Sequence, residues 1–413
     1  MKKRHIKREQ YLKSIRGFND NTELIKIISG VRRSGKSVFM SQIIDELIEK
    51  GVCKSNIIRY DFEKYKYIDL LDPKKLHQAI VNQVSGEGIF YIFFDEIQMV
   101  DDFENVINSL RNSYNVSIFI TGSNSKMLAS ELSTVLSGRY VKFEIQPLSF
   151  GEACKLMEIK KADRDEFLLE YLEWGGMPGR FVFSDENERY NYLNDVFDSI
   201  VERDVIERSG IKEIDLFRRV FQYLVENNSQ LFSANSVYNS IVSSGRKVSK
   251  TTIYAYLEAI TAALLMKRVG RYDITGKAML ATIDKYYSVD LGISQIKVSN
   301  STLNRGAQLE NLVYNELIRR GYEVNVGYLS SGEIDFVATK RKTVEYYQVA
   351  YILTDEKTVE REFGAFKKIA DNFPKYVLSM DKIDFSQNGI VHKNIEDWLM
   401  EEFTDTKRKE NKK

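Results

Sequence analysis

Residues 24–37, LIKIISGVRRSGKS, join a short β-branched apolar run to Gly30 and then to Lys36 and Ser37. This is the spacing of a phosphate-binding loop between a strand and a helix. Glycines let backbone N–H groups close around phosphate oxygens, and the following helix turns its positive N-terminus to the same anion. Gly30, Arg33, Ser34, Gly35, Lys36, Ser37 and Val38 therefore make up the expected cradle for ATP. Lys36 is placed to reach the β- and γ-phosphates, and the Ser37 hydroxyl to sit on Mg²⁺. An amphipathic stretch over 38–49 supplies the helix. An ordinary Gly-rich turn would explain neither Lys36 nor Ser37.

Residues 89–98, IFYIFFDEIQ, add the second element, a buried-type strand ending in Asp95 and Glu96. In a parallel sheet, ligands bind beyond the carboxyl ends of the strands, so both carboxylates aim at the phosphate loop. Asp95 is expected to hold Mg²⁺, directly or through water. Glu96 is placed to take a proton from the attacking water as general base. Binding alone needs only Asp95, so Glu96 argues for hydrolysis.

Composition narrows the class. With 413 residues, 43% of them hydrophobic, the chain can fill two or three domain cores. Sixty basic and fifty-nine acidic residues nearly cancel, so no global basic field advertises nucleic acid. Cys53 and Cys154 lie far apart and the three histidines do not cluster with them, which argues against zinc and against an oxidising compartment. No apolar run approaches a membrane span, and the start MKKRHIKREQYL lacks the apolar core of a signal peptide. A cytoplasmic protein with no membrane partner is the expectation.

Strand patterns at 24–28, 56–61, 89–94, 116–121 and 140–145 alternate with helical ones, the signature of a parallel sheet flanked by helices. A basic N-terminal helix carries Tyr11, Leu12, Ile15 and Phe18 at near-helical spacing and is expected to pack on this core, so the first domain spans 1–150. Ser123 and Asn124 follow the fourth strand on the ligand-facing edge, where Asn124 is a candidate sensor of the γ-phosphate. Arg139, just before the fifth strand, is a candidate charge-neutralising arginine, in cis or across a subunit boundary of an oligomer.

Beyond 150 the periods change. Residues 151–216 read as a helical lid segment interrupted by EWGGMPGRF, a tight corner or a hinge. Residues 217–298 read as three helices and a β-hairpin, a winged-helix-like domain. Ser249, Lys250, Thr251 and Thr252 open its third helix, amid Arg246, Lys247, Lys267, Arg268, Arg271 and Lys277. That local charge points to DNA. A further α/β domain spans 299–400, and a polar tail, 401–413, reads as disordered. In that domain Glu310, Asp335 and Gln348 are candidates to converge on a second divalent ion.

The motifs GVRRSGKS, FFDEIQ, TGSNS, LSGRY, PLSFGEA, WGGMPGR, RGAQLENLVYNEL, EIDFVA and QVAY, in that order, resemble a family of prokaryotic AAA-type ATPases with a C-terminal domain of unknown function. The resemblance implies an α/β P-loop NTPase with ATP and Mg²⁺, with Lys36 and Ser37 on phosphates and metal. It also implies Asp95 and Glu96 in the Walker B role, Asn124 or Ser123 as sensor, and Arg139 as arginine finger. The C-terminal part resembles the restriction-endonuclease-like fold, in which a helical Glu, a strand Asp and a Glu-x-Lys bind metal and activate water. Glu310 and Asp335 match the first two, but the third reads Gln348-Val349-Ala350. The missing lysine, which would stabilise charge at the scissile phosphate, argues against cleavage. The functional expectation is an ATPase coupling nucleotide state to DNA binding or remodelling. A nucleotide-gated protein-interaction switch, whose partner is a protein, and an ATP-licensed metal-dependent nuclease remain as alternatives.

Overall fold

Strands β1 (Ile25–Ser29), β2 (Ile57–Asp61), β3 (Phe90–Asp95), β4 (Val116–Gly122) and β5 (Tyr140–Glu144) form one parallel sheet in the order β2-β3-β4-β1-β5. Their bounds differ by no more than a residue from the runs read in the sequence. The computed structural model describes residues 5–122, 138–298, 304–330 and 332–401. They fall into two units, Met1–Pro147 with Ala262–Leu264, and Leu148–Thr261 with Leu265–Lys413.

In the first unit the central strands are apolar on both sides, because helices cover both faces of a parallel sheet. Ile27, Ile92, Phe94, Ile118 and Ile120 pack under α3 (Pro73–Val81) and α4 (Phe103–Ser113) through Leu76, Ile80, Ile107 and Leu110. Their alternates Ile28, Phe93 and Phe119 meet α1 (Glu9–Ile15) and α2 (Lys36–Glu49) through Leu12, Ile15, Phe39, Met40 and Ile43. The Phe93 and Phe119 rings stack at 4.6 Å. Each such side chain contributes about 1.5–3 kcal/mol by burial. The N-terminal helix thus packs on the core through the residues its spacing singled out. Register brings the strand ends level: Ser29 opposite Gly122 and Glu144, and Asp61 opposite Asp95.

The second unit opens with the helices Phe150–Leu156, Arg164–Trp174 and Glu186–Ile200. Ser149 and Glu152 form a capping box at the first. The Gly175–Gly176 corner is tightly packed. A Cβ on Gly175, at φ +67°, would stand 2.4 Å from Asp290 Oδ1, and one on Gly176 2.1 Å from the Leu148 carbonyl oxygen. Asp290 Oδ2 also accepts the Gly176 N–H at 2.8 Å. The packed-corner alternative, not the hinge, accounts for these glycines.

Three helices (Ile214–Glu226, Ala234–Ser243 and Lys250–Ala262) and a hairpin, β6 (Met266–Asp273) and β7 (Ala278–Ser288), follow in the expected order. The hairpin is not a free wing, however. β6 runs parallel to β8 (Glu323–Leu329), pairing Arg271 with Val326 and Asp273 with Tyr328. The sheet continues through β9 (Gly332–Lys340), β10 (Thr343–Val349), β11 (Lys375–Ser379) and β12 (Val391–Asn394), in the order β12-β11-β10-β9-β8-β6-β7. A boundary at 298 therefore cuts through one continuous sheet. The helix Arg305–Arg319 packs Leu309, Val313 and Leu317 against Val326, Phe336 and Tyr347 on one face. Phe363 and Phe366 cover Ile334, Val337 and Val377 on the other. Among the described residues no helix is long and apolar enough to cross a membrane.

Candidate functional site

The loop after β1 is built for close backbone approach. A Cβ on Gly30 would stand 2.2 Å from the Ile145 carbonyl oxygen, so only glycine fits there. Arg33 (φ +65°) and Gly35 (φ +101°) both take left-handed backbone, which curls the chain into a concavity before α2 begins at Lys36. The Ser34 hydroxyl is buried in this curl without a hydrogen-bond partner among the described residues. The Lys36 ammonium, also buried, donates to the Gly30 carbonyl at 3.0 Å and the Val31 carbonyl at 3.4 Å. Behind the loop, Arg8 donates to the carbonyls of Gln146 (2.9 Å), Pro147 (3.3 Å) and Ser34 (3.4 Å). Its charge holds protein backbone.

Asp95 and Glu96 lie at the same edge. Glu96 Oε1 is 3.9 Å from the Lys36 ammonium, and Gln98 donates to its other oxygen at 2.5 Å. Glu96 itself adopts left-handed backbone, φ +55° and ψ +48°. A bulky residue held there carries strain of about 1–3 kcal/mol, a feature that clusters at functional sites. Thr121, at the end of β4, holds it in place. Its hydroxyl accepts the Glu96 N–H at 2.9 Å and donates to Asp95 Oδ1 at 2.6 Å. Arg59 of β2 lies 3.3 Å from Asp95 Oδ2 and donates to Ser41 Oγ at 2.7 Å and to the Ser37 carbonyl at 3.3 Å. Ser37 is exposed at the first turn of α2, its hydroxyl free to face a ligand.

Thr121 and Arg59 were not singled out in the sequence. The signal for Thr121 is a hydroxyl at the carboxyl end of VSIFITG, after the apolar run 118–120. The signal for Arg59 is a basic residue inside IIRYD. Ser123 and Asn124 lie outside the described residues, as does the tail beyond Glu401. Arg139 is exposed, and its carbonyl accepts the Ile25 N–H at 3.0 Å. That places it at the amino end of β1, about 13 Å of strand from the phosphate loop. It does not reach its own chain's loop.

Glu310, Asp335 and Gln348 do come together in the second unit, around a residue the sequence did not flag. The buried Lys285 ammonium of β7 contacts Glu310 Oε1 at 2.9 Å and Glu333 Oε1 at 2.6 Å, and stands 4.0 Å from Asp335 Oδ1. The Tyr287 hydroxyl donates to Glu310 Oε1 at 2.6 Å, and the Val349 N–H to Asp335 Oδ2 at 2.8 Å. The Gln348 side-chain oxygen accepts the Asp335 N–H at 2.6 Å, while its amide donates to Glu362 at 3.0 Å. Burial, with Glu310 close by, pushes the Asp335 carboxyl well above the carboxylate range, and burial raises Glu310 too. For Lys285 burial opposes the charge, but Glu310, Asp335 and Glu333 outweigh it and hold the ammonium above its ordinary value. Among the described residues, no group of three or more His, Cys, Asp or Glu is disposed to hold a metal ion.

The parallel strand order, with a left-handed glycine loop between β1 and α2, defines an α/β P-loop fold. Residues 22–154 match the model of an AAA domain, and residues 165–302 that of a domain of unknown function. An uncharacterized protein of Haemophilus influenzae is 37% identical over 405 residues, covering 97% of this chain and 100% of that one. An uncharacterized protein of Methanocaldococcus jannaschii is 33% identical over 390 residues, covering 90% and 85%. The chain belongs to the family of these proteins, with an AAA-type domain at its N-terminal end. Among solved structures, the Aeropyrum pernix ORC1 protein in complex with DNA aligns with 77% of this chain and 95% of that one, at 12% identity and a TM-score of 0.31. AMPPCP-bound DnaA from Aquifex aeolicus aligns with 61% and 86%, at 14% identity and a TM-score of 0.28. Likenesses at that level carry no argument about ligands.

Proposed function

We propose that the chain binds ATP with Mg²⁺ at residues 30–38 and hydrolyses it. The observation that carries this reading is the convergence of Lys36, Asp95, Glu96 and Thr121 on the carboxyl edge of one parallel sheet. The residues suit the ligand: a glycine cradle that a Cβ would fill, a buried Ser34 hydroxyl without a partner among the described residues, and a lysine that donates to loop carbonyls 3.0 and 3.4 Å away. Bound Mg²⁺ would supply charge neutralisation at the phosphates, with Ser37 and Asp95 as its protein ligands. Lys36 exchanges loop carbonyls for phosphate oxygens. Glu96, its backbone fixed by Thr121, orients a water and accepts its proton. Isothermal titration of the full chain with Mg²⁺–ATP tests the reading, because Lys36→Ala is expected to abolish the binding heat. An undiminished isotherm in that variant would overturn it.

The downstream partner we propose is DNA, met by the N-terminal end of the helix Lys250–Ala262. Ser249 Oγ caps that end by accepting the Thr252 N–H at 3.0 Å, while Lys247 and Lys250 stand exposed beside it. Two other basic residues are more closely engaged. Arg268 pairs with Asp284 at 2.7 Å, and Arg271 lies 4.7 Å from the centre of the Tyr328 ring, against 5.5 Å from the exposed Lys250 to the Tyr238 ring. The footprint is therefore small, built from Lys247, Lys250 and their neighbours.

A further inference from the structure

The residue order of the C-terminal domain, with an acidic helix residue before an acidic strand residue, invites a divalent cation. The side chains as placed do not fit one. Mg²⁺ needs near-octahedral oxygen ligands at about 2.0–2.1 Å. Here one oxygen of each carboxylate is already committed. Glu310 Oε1 takes both the Lys285 ammonium and the Tyr287 hydroxyl, Glu333 Oε1 takes the same ammonium, and Asp335 Oδ2 takes a backbone N–H. The Gln348 oxygen, the remaining candidate ligand, is turned onto the Asp335 N–H.

We infer that the Lys285 ammonium is the resident cation of this cluster, occupying the place of a metal and closing the domain to divalent ions. The side chain suits the task. Lys285 is almost wholly buried, its ammonium bonds Glu310 and Glu333 directly, and Asp335 Oδ1 stands 4.0 Å away as a nearby negative charge. Position 350, where a strand lysine would help a nuclease, is a buried alanine whose N–H bonds the Leu378 carbonyl at 3.0 Å. A long charged side chain has no exit there. The cation that pairs with Glu310 and Glu333 comes instead from β7 of the preceding hairpin, which is built into the same sheet. The domain then works as a scaffold or a binding surface without metal-dependent phosphodiester cleavage.

The test is Mn²⁺ titration calorimetry on the nucleotide-free full chain, wild type against Asp335→Asn. Tyrosine-sensitised Tb³⁺ luminescence is the second readout, since Tyr287 touches Glu310. The two proteins are expected to give the same isotherm, because the cluster takes no ion in either. Lys285→Met is expected to gain one Mn²⁺ site and a Tb³⁺ signal, both lost again in Lys285→Met/Asp335→Asn. A wild-type Mn²⁺ site that Asp335→Asn removes would overturn the inference. So would Mg²⁺-dependent nicking of supercoiled DNA that the same variant abolishes. Should Lys285→Met fail to fold, the wild-type comparison still decides, because it needs only the conservative Asp335 variant.

Discussion

The Thr121 hydroxyl donates to Asp95 at 2.6 Å while accepting the backbone N–H of Glu96 at 2.9 Å, so one side chain fixes both acidic residues of the site. Thr121→Val keeps the shape and removes both bonds. A hydrogen bond to a charged group is worth about 1.5–3 kcal/mol, and the buried Asp95 is left short of a partner. The variant should unfold at lower denaturant and need more Mg²⁺ for half-maximal turnover. An unchanged midpoint together with an unchanged Mg²⁺ requirement would remove Thr121 from the site.

Glu96 separates binding from chemistry. Glu96→Gln keeps the size and a hydrogen-bonding oxygen but cannot accept the proton. ATP should bind with near-normal heat, while turnover falls by about 10²–10⁴-fold, the usual range for losing a general base. Steady-state phosphate release measures it, and near-normal hydrolysis would assign the base elsewhere.

The candidate nucleotide site was legible because its residues are local. Lys36 and Ser37 sit in one loop, and Asp95 and Glu96 end one apolar strand, so short windows hold the signal. What stayed hidden depends on pairing between distant segments. Thr121 matters because β4 lies beside β3, and Lys285 because β7 joins, through β6, a sheet whose other strands begin at Glu323. Neither adjacency leaves a mark on its own stretch of sequence. The hairpin misled for the same reason: its turn and strands read alike whether it stands free or forms an edge. Arg139 was placed by its proximity to a strand, but parallel register puts the start of β5 level with the start of β1, away from the loop.

That register makes a concrete prediction for Arg139. An exposed arginine that cannot reach its own loop can neutralise transition-state charge only on another copy of the chain. ATPase activity per chain should rise with protein concentration and be lost in Arg139→Ala. Mixing that variant with Lys36→Ala should restore part of the activity, since each supplies what the other lacks. If Arg139→Ala shows wild-type turnover at every concentration, Arg139 is a surface residue.

Glu46 sets an acid limit on the first unit. Arg16 binds both its oxygens, at 2.9 and 2.7 Å, and Lys7 adds a contact at 2.9 Å, tying the N-terminal segment to α2. The Arg16 hydrogen bonds, against burial and helped by Lys7, lower its carboxyl from 4.5 to about 2. The folded state therefore holds fewer protons than the unfolded chain between those values. The stabilisation is complete above about pH 4.5 and is lost as pH falls toward about 2. Glu46→Gln should lower stability at pH 7 by about 1–3 kcal/mol and flatten the pH dependence in that window. Urea unfolding at stepped pH reads both, and parallel curves for the two proteins would refute the assignment.

DNA affinity, where the proposed partner is tested, should follow the counterion rule. Each lysine on a phosphate steepens the salt dependence by about one unit of slope. Lys247 and Lys250 are exposed beside the capped start of the helix Lys250–Ala262, whereas Arg268 is already paired with Asp284. Lys247→Ala/Lys250→Ala should therefore weaken duplex binding across sequences and reduce the slope by about two, measured by fluorescence anisotropy over a salt series. Arg268→Ala should leave the slope nearly unchanged. No binding by the wild-type chain at low salt, with or without ATP, would favour the reading in which nucleotide state gates a protein contact. A slope that responds to Arg268 and not to the lysines would move the interface to the outer face of β6.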